Sequence, residues 1–214
     1  MKSKLIFINC IHLLLISFLL TQFSYAQGDS NGENDFLKNF YIGGSYGEAE
    51  QKDVCNADRV LDTCDDEDDA WKIFIGYQFN KYISLEGGYV DFGESESTYT
   101  FAGLPNNFAH AEIDGFYSNA LFSFPVHEKV SIFGKFGILF WDIELTDGIN
   151  NGLEIVEFET DDDGTDYFFG AGIQAKITKH ISARAEYEFY KDVGDSSIGK
   201  TDIEMYSASL IFHF

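Results

Sequence analysis

Glu86, Lys135, Arg184, Glu186 and Glu188 stand in stretches where apolar side chains recur at every second position, and each falls on the opposite face. A period of two is that of a β-strand, whose successive side chains point to alternate sides. Charges gathered on the enclosed face of such strands must pair, because an unpaired charge taken out of water is costly. The chemistry these five residues imply is therefore a network of ion pairs.

A second group is acidic. Glu50 to Asp69 holds nine acids and two basic residues, and Glu144 to Asp166 holds nine acids with no Lys or Arg. One reading is a solvated, self-repelling surface. The other is divalent-cation binding, since clustered carboxylates are hard oxygen ligands suited to Ca²⁺. Asp161, Asp163 and Asp166, within Asp161-Asp162-Asp163-Gly164-Thr165-Asp166, are the candidate ligands. The motif is incomplete: counted from Glu159, the bidentate Glu of a calcium loop would fall at Gly170.

The elements that position these groups begin after a leader. Lys2 and Lys4, the apolar run Leu5 to Leu20 and the small residues of Ser24-Tyr25-Ala26 have the order of a secretory signal peptide, residues 1–26. The run is short for a spanning helix. Cys10 lies near its start, not at its end, which disfavours a lipidated cysteine. Cleavage after Ala26 would remove two lysines and no acid, leaving 12 basic residues against 36 acidic and moving the formal charge from −22 to −24. Such a chain repels nucleic acid, which is excluded as a partner. Cys55 and Cys64 are the pair carried into an oxidising compartment, where a disulfide between them is expected. Zinc would need further close Cys or His ligands in the same loop, and none is present.

Eight alternating segments follow a short segment 27–38. They are Phe40 to Gly47, Ala70 to Phe79, Tyr82 to Phe92, Ile113 to Phe124, Lys129 to Trp141, Tyr167 to Ile177, Ile181 to Tyr190 and Ile203 to Phe214. Only two prolines interrupt the chain, as sheet ladders require. Connections alternate between short (Asn80-Lys81, Pro125 to Glu128, Thr178 to His180) and long (48–69, 93–112, 142–166, 191–202). An even strand count, with short turns on one side and long loops on the other, predicts an all-β, eight-stranded antiparallel transmembrane β-barrel of up-and-down topology over residues 39–214. Phe40, Tyr46, Trp71, Tyr77, Phe79, Tyr82 and Tyr89, near strand ends, are read as interfacial girdles.

Several stretches resemble the transmembrane domain of the OmpA-like outer-membrane proteins. They are Phe40-Tyr41-Ile42-Gly43-Gly44, Gly76-Tyr77-Gln78-Phe79, Leu85-Glu86-Gly87-Gly88-Tyr89-Val90-Asp91-Phe92-Gly93, Phe124-Pro125-Val126 and Val130-Ser131-Ile132-Phe133-Gly134-Lys135-Phe136-Gly137. The resemblance runs from Phe40 to Phe214 and implies a bacterial outer-membrane location, with lipid as surroundings. It also implies that a lumen charge network can act as a gated, narrow ion path. Two-domain members carry a peptidoglycan-binding domain after the barrel; this sequence stops at the eighth strand, so a wall-tethering role is not carried over. The alternation Tyr206, Ala208, Leu210, Phe212, Phe214 resembles the signal read by the barrel-assembly machinery. The expected protein is a monomer without cofactor, structural or interacting with a surface ligand through its acidic loops. A narrow pore is the alternative. A lipid A-modifying enzyme is weaker: His110, His127, His180 and His213 are scattered, and no Ser-His-acid motif accompanies them.

Overall fold

The computed structural model describes residues 37–52, 55, 61–101, 104–150, 152, 154–195 and 199–214. The expected signal peptide, and residues 27–36 of the segment after it, lie outside the described residues. A 3-10 turn, Leu37–Asn39, leads into strands β1 (Phe40–Gln51), β2 (Leu61–Asp65), β3 (Glu67–Asn80), β4 (Ile83–Phe101), β5 (Leu104–His127), β6 (Val130–Asn150), β7 (Ile155–Lys176), β8 (Ile181–Asp195) and β9 (Gly199–His213). Every pairing is antiparallel.

β1 pairs with β3 on one side and with β9 on the other, and the series from β3 through β9 is paired neighbour to neighbour. The sheet therefore closes on itself with eight staves in up-and-down order. Closure leaves no open backbone edge in lipid, the condition any spanning sheet must meet. Phe214 completes the seam by donating its N–H to the Phe40 carbonyl at 3.2 Å.

The three short turns lie together at one end. Asn80 Oδ1 accepts from the N–H groups of Tyr82 (2.8 Å) and Ile83 (3.1 Å), and Thr178 Oγ1 accepts from those of His180 (3.2 Å) and Ile181 (3.0 Å). These side-chain bonds satisfy the turn backbone locally.

At the other end the structure corrects the expected long loops, for much of 48–69, 93–112, 142–166 and 191–202 is strand. The 24 residues of β5 rise about 80 Å at roughly 3.3 Å each, whereas a tilted spanning strand needs about 9–11 residues. Ladders continue beyond the membrane because alternate positions there still have something to cover. Ser95, Ser97, Tyr99, Asn107, Ile113 and Ile143 are buried on one face while acids occupy the other. The short β2 joins this extension by pairing with β4 from Leu61↔Tyr99 to Asp65↔Glu96. A bulge at Asp91/Glu94, with Gly93 at φ +75°, switches β4 so that odd rather than even residues face inward beyond it.

The outward faces of the staves carry Ile42, Ile73, Ile75, Leu85, Phe136, Ile138, Ile173 and Leu210, all exposed. A continuous apolar band of this extent has no place on a soluble protein. Tyr46, Trp71, Tyr206 and Phe116 border it on the side of the long hairpins, and Phe79, Tyr82, Phe124 and Phe214 on the side of the short turns. The girdle residues read from sequence all point outward, and the band between the rims is the lipid-facing surface.

Candidate functional site: a neutral ion-pair plug beneath an acidic sheet

Alternation along β4, β6 and β8 turns Glu86, Lys135, Arg184, Glu186 and Glu188 into the barrel, where all are buried. The structure adds Lys72 of β3, which sequence reading missed. Its signal was available: Lys72 alternates with Phe74 on the face opposite Ile73 and Ile75. Lys72 Nζ lies 2.7 Å from Glu186 Oε1 and also bonds Glu188. From the opposite wall, Lys135 Nζ reaches Glu186 Oε2 at 2.7 Å and Glu188 Oε1 at 2.6 Å. Arg184 Nη2 meets Glu86 Oε1 at 2.7 Å. Three cations thus face three carboxylates, and the cluster is neutral.

Neutral donors and an acceptor add to it, while Arg184 Nη1 makes no hydrogen bond among the described residues. The Tyr41 hydroxyl donates to Glu86 at 2.8 Å, and that of Tyr190 donates to Glu188 at 3.0 Å. Arg184 Nε donates to Gln174 Oε1 at 3.1 Å, and the guanidinium lies between the Phe74 and Phe133 rings, 5.3 and 5.0 Å from their centroids. Two glycines make room. A Cβ on Gly76 would fall 2.1 Å from the Tyr41 ring, and one on Gly170 would fall 2.7 Å from the Tyr187 carbonyl and 3.0 Å from Lys135 Cε.

Toward the long hairpins the lumen turns apolar. Phe92, Leu139, Trp141, Phe168, Tyr190, Ile203 and Met205 form a buried cluster, with the Phe168 and Tyr190 rings stacked at 4.7 Å. An eight-stranded barrel has room only for its own side chains, and here a charged layer and an apolar layer fill it in series.

Beyond the girdle the outward face is acidic in register. Asp91, Asp114, Asp142 and Asp163 lie directly opposite one another across β4, β5, β6 and β7, and Glu94, Glu112, Glu144 and Asp161 form a parallel row. Partial burial, together with Asp114 and Asp163, raises the pKa of Asp142 above the ordinary carboxylate value. Partial burial and the neighbouring acids Glu94, Asp91 and Glu144 do the same for Glu112.

The calcium candidate is corrected. Asp161 and Asp163 lie within β7, not in a loop, and point outward. Asp166 is on the opposite face and accepts the Trp141 Nε1–H at 2.8 Å. An extended strand cannot converge the three, and no metal-holding cluster occurs among the described residues. Cys55 and Cys64 form a disulfide, with Cα atoms 5.8 Å apart, that ties the segment after β1 to β2. His110 stands on the long β5 hairpin, its Nε2 3.6 Å from Glu96. His213 Nε2 lies 3.0 Å from Ser182 Oγ, but that hydroxyl is buried. Tyr206, Leu210, Phe212 and Phe214 project outward from the last strand and its end.

A closed eight-stave barrel with a lipid-facing band and a filled lumen defines an integral outer-membrane β-barrel protein. Residues 36–214 match the OmpA-like transmembrane domain, and the chain belongs to that family, in the bacterial outer membrane. Outer membrane protein A of Serratia marcescens is 27% identical over 143 residues, 66% of this chain and 38% of that protein. Outer membrane protein A of Salmonella typhi is 26% identical over 124 residues, 58% of this chain and 33% of that one. The chain thus spans about a third of the length of these curated relatives. Among solved structures, Neisserial surface protein A superposes with a TM-score of 0.54 at 12% identity, over 82% of this chain and 97% of that one. Outer membrane protein OprG of Pseudomonas aeruginosa gives 0.50 at 10%, over 82% and 96%. At these identities the likeness is one of fold.

Proposed function

We propose that this protein is a structural and surface-interaction component of the outer membrane, anchored by a plugged barrel and acting through its external hairpins. The observation that carries this reading is the lumen. The six charges cancel, and an apolar layer of the barrel's own side chains lies in series with them. The chemistry available to partners lies on the acidic sheet beyond the girdle. The mature chain begins after Ala26, is monomeric and non-enzymatic, and is inserted by the barrel-assembly machinery through Tyr206, Leu210, Phe212 and Phe214.

A narrow ion pore is the second reading, favoured by one feature: Lys135 spans two carboxylates, so pairs can exchange without breaking neutrality. Planar-bilayer recording of the refolded protein separates the two. Silence in wild type, Glu86→Ala and Lys135→Ala supports the structural role, and discrete currents that change in the variants support the pore. For the interaction role, cells carrying the protein with its hairpins trimmed should lose surface attachment; unchanged attachment would refute it.

A further inference from the structure

Among the described residues, β7 is paired on both sides only along its membrane-spanning part. Its ladder with β8 runs from Phe168↔Tyr190 to Lys176↔Ser182, while its ladder with β6 continues out to Asn150↔Ile155. From Ile155 to Asp161, among the described residues, β7 is therefore an exposed sheet edge. On a strand, N–H and C=O groups point alternately to the two sides, so this edge presents a row of backbone donors and acceptors. Seven residues at about 3.3 Å each give an edge of about 23 Å, enough to template another strand.

The side chains flanking the edge specify what could add to it. Ile155, Glu157, Glu159 and Asp161 share one face, and Val156, Phe158 and Thr160 share the other. Phe158 is 54% exposed and stands beside Asp147 of β6. A second copy of this chain would bring the same acids against them, and like charges directly opposite destabilise a pairing.

We propose that the outer edge of β7 captures, by strand addition, an extended segment of another protein in which Lys or Arg alternates with apolar residues. The cations would lie beside Glu157, Glu159 and Asp161, the apolar residues beside Val156 and Phe158, and the main chain would bond the edge. The proposal deepens the surface-interaction reading and rests on it, naming the partner class.

The probe is a soluble peptide of alternating Lys and Val, measured by fluorescence anisotropy against the full protein in nanodiscs. A control peptide carries N-methyl groups on alternate backbone amides, which keeps the charge and blocks the ladder. Expected are saturable binding, at least tenfold weaker binding of the methylated peptide, and at least tenfold loss in the Glu157→Lys/Glu159→Lys variant, with heat-modifiable gel mobility confirming its barrel. Equal binding of the two peptides would reduce the site to surface charge and overturn strand addition. No binding of either would overturn the partner class. Loss of attachment on hairpin trimming, measured separately, would still uphold the broader role.

Discussion

Lys72→Met is the sharpest probe of the lumen. Methionine is close to lysine in length, so packing is nearly preserved while one of three cations disappears. Glu186 keeps Lys135 at 2.7 Å and Glu188 keeps Lys135 at 2.6 Å, but three carboxylates then face two cations in a dry interior. Removing one partner of a buried ion pair costs about 3–5 kcal/mol. An independent bound agrees: protonating one carboxylate of ordinary Glu pKa, about 4.3, costs about 3.7 kcal/mol at pH 7. Since neutralisation relieves the imbalance, the penalty should fall by about 1.4 kcal/mol for each pH unit below 7.

Lys72→Met/Glu188→Gln restores neutrality. The amide oxygen can still accept from Tyr190, and Lys135 retains Glu186 as its partner. The double variant should lie within about 1 kcal/mol of wild type, because replacing both members of a buried pair is often neutral. Urea unfolding and refolding in lipid vesicles, followed by gel mobility and by the fluorescence of Trp71 and Trp141, measures both. A single variant within about 1 kcal/mol of wild type, or a double no more stable than the single, would refute the claim that charge balance holds the plug together.

Gly170→Ala should destabilise by about 1–3 kcal/mol through overpacking, while Gly134→Ala, whose Cβ would meet nothing nearer than 3.8 Å, should change unfolding by less than about 0.5 kcal/mol. Replacing Cys55 and Cys64 with Ser should loosen the β2 hairpin by about 2–3 kcal/mol, the chain-entropy value for so short a loop; limited proteolysis should then cut within residues 52–61 while gel mobility stays unchanged. Asp142 and Glu112 have raised pKa values in the folded protein, so their contribution to stability is full below the ordinary carboxylate pKa and is lost as pH rises through the raised one. Outer residues of β5 and β6 should therefore exchange amide hydrogens, after correction for intrinsic rates, more slowly at pH 4 than at pH 7, and Glu112→Gln/Asp142→Asn should flatten that difference.

What the sequence revealed follows from what a period of two can encode. Alternation placed Glu86, Lys135, Arg184, Glu186 and Glu188 on one face, and the structure puts them in one cluster because closing the sheet brings β4, β6 and β8 across a narrow lumen. Lys72 follows the same rule: it alternates with Phe74 on the face opposite Ile73 and Ile75, as clear a position as the others. The length of the hairpins was not legible. Runs such as Glu144 to Asp166 are polar on their exposed face, and polarity reads as loop unless the buried Ile143 and partly buried Leu145 are seen as a second face. The same error produced the calcium candidate, since Asp161, Asp163 and Asp166 converge only if the chain turns between them.

The protein's charge is divided by the membrane boundary, and the division bears on the proposed role. Inside the lipid band the six ionised groups cancel, as the cost of an unbalanced charge there demands. Among the described residues the negative charge therefore lies mostly outside the band, on the extended hairpins. Rows of carboxylates opposite one another across four strands weaken the very ladder that carries them. An anchor needs only the spanning part of each stave. The extra length of β4, β5, β6 and β7, maintained against its own repulsion, is more than anchoring requires, and it is this external sheet that the proposed surface-interaction role would use.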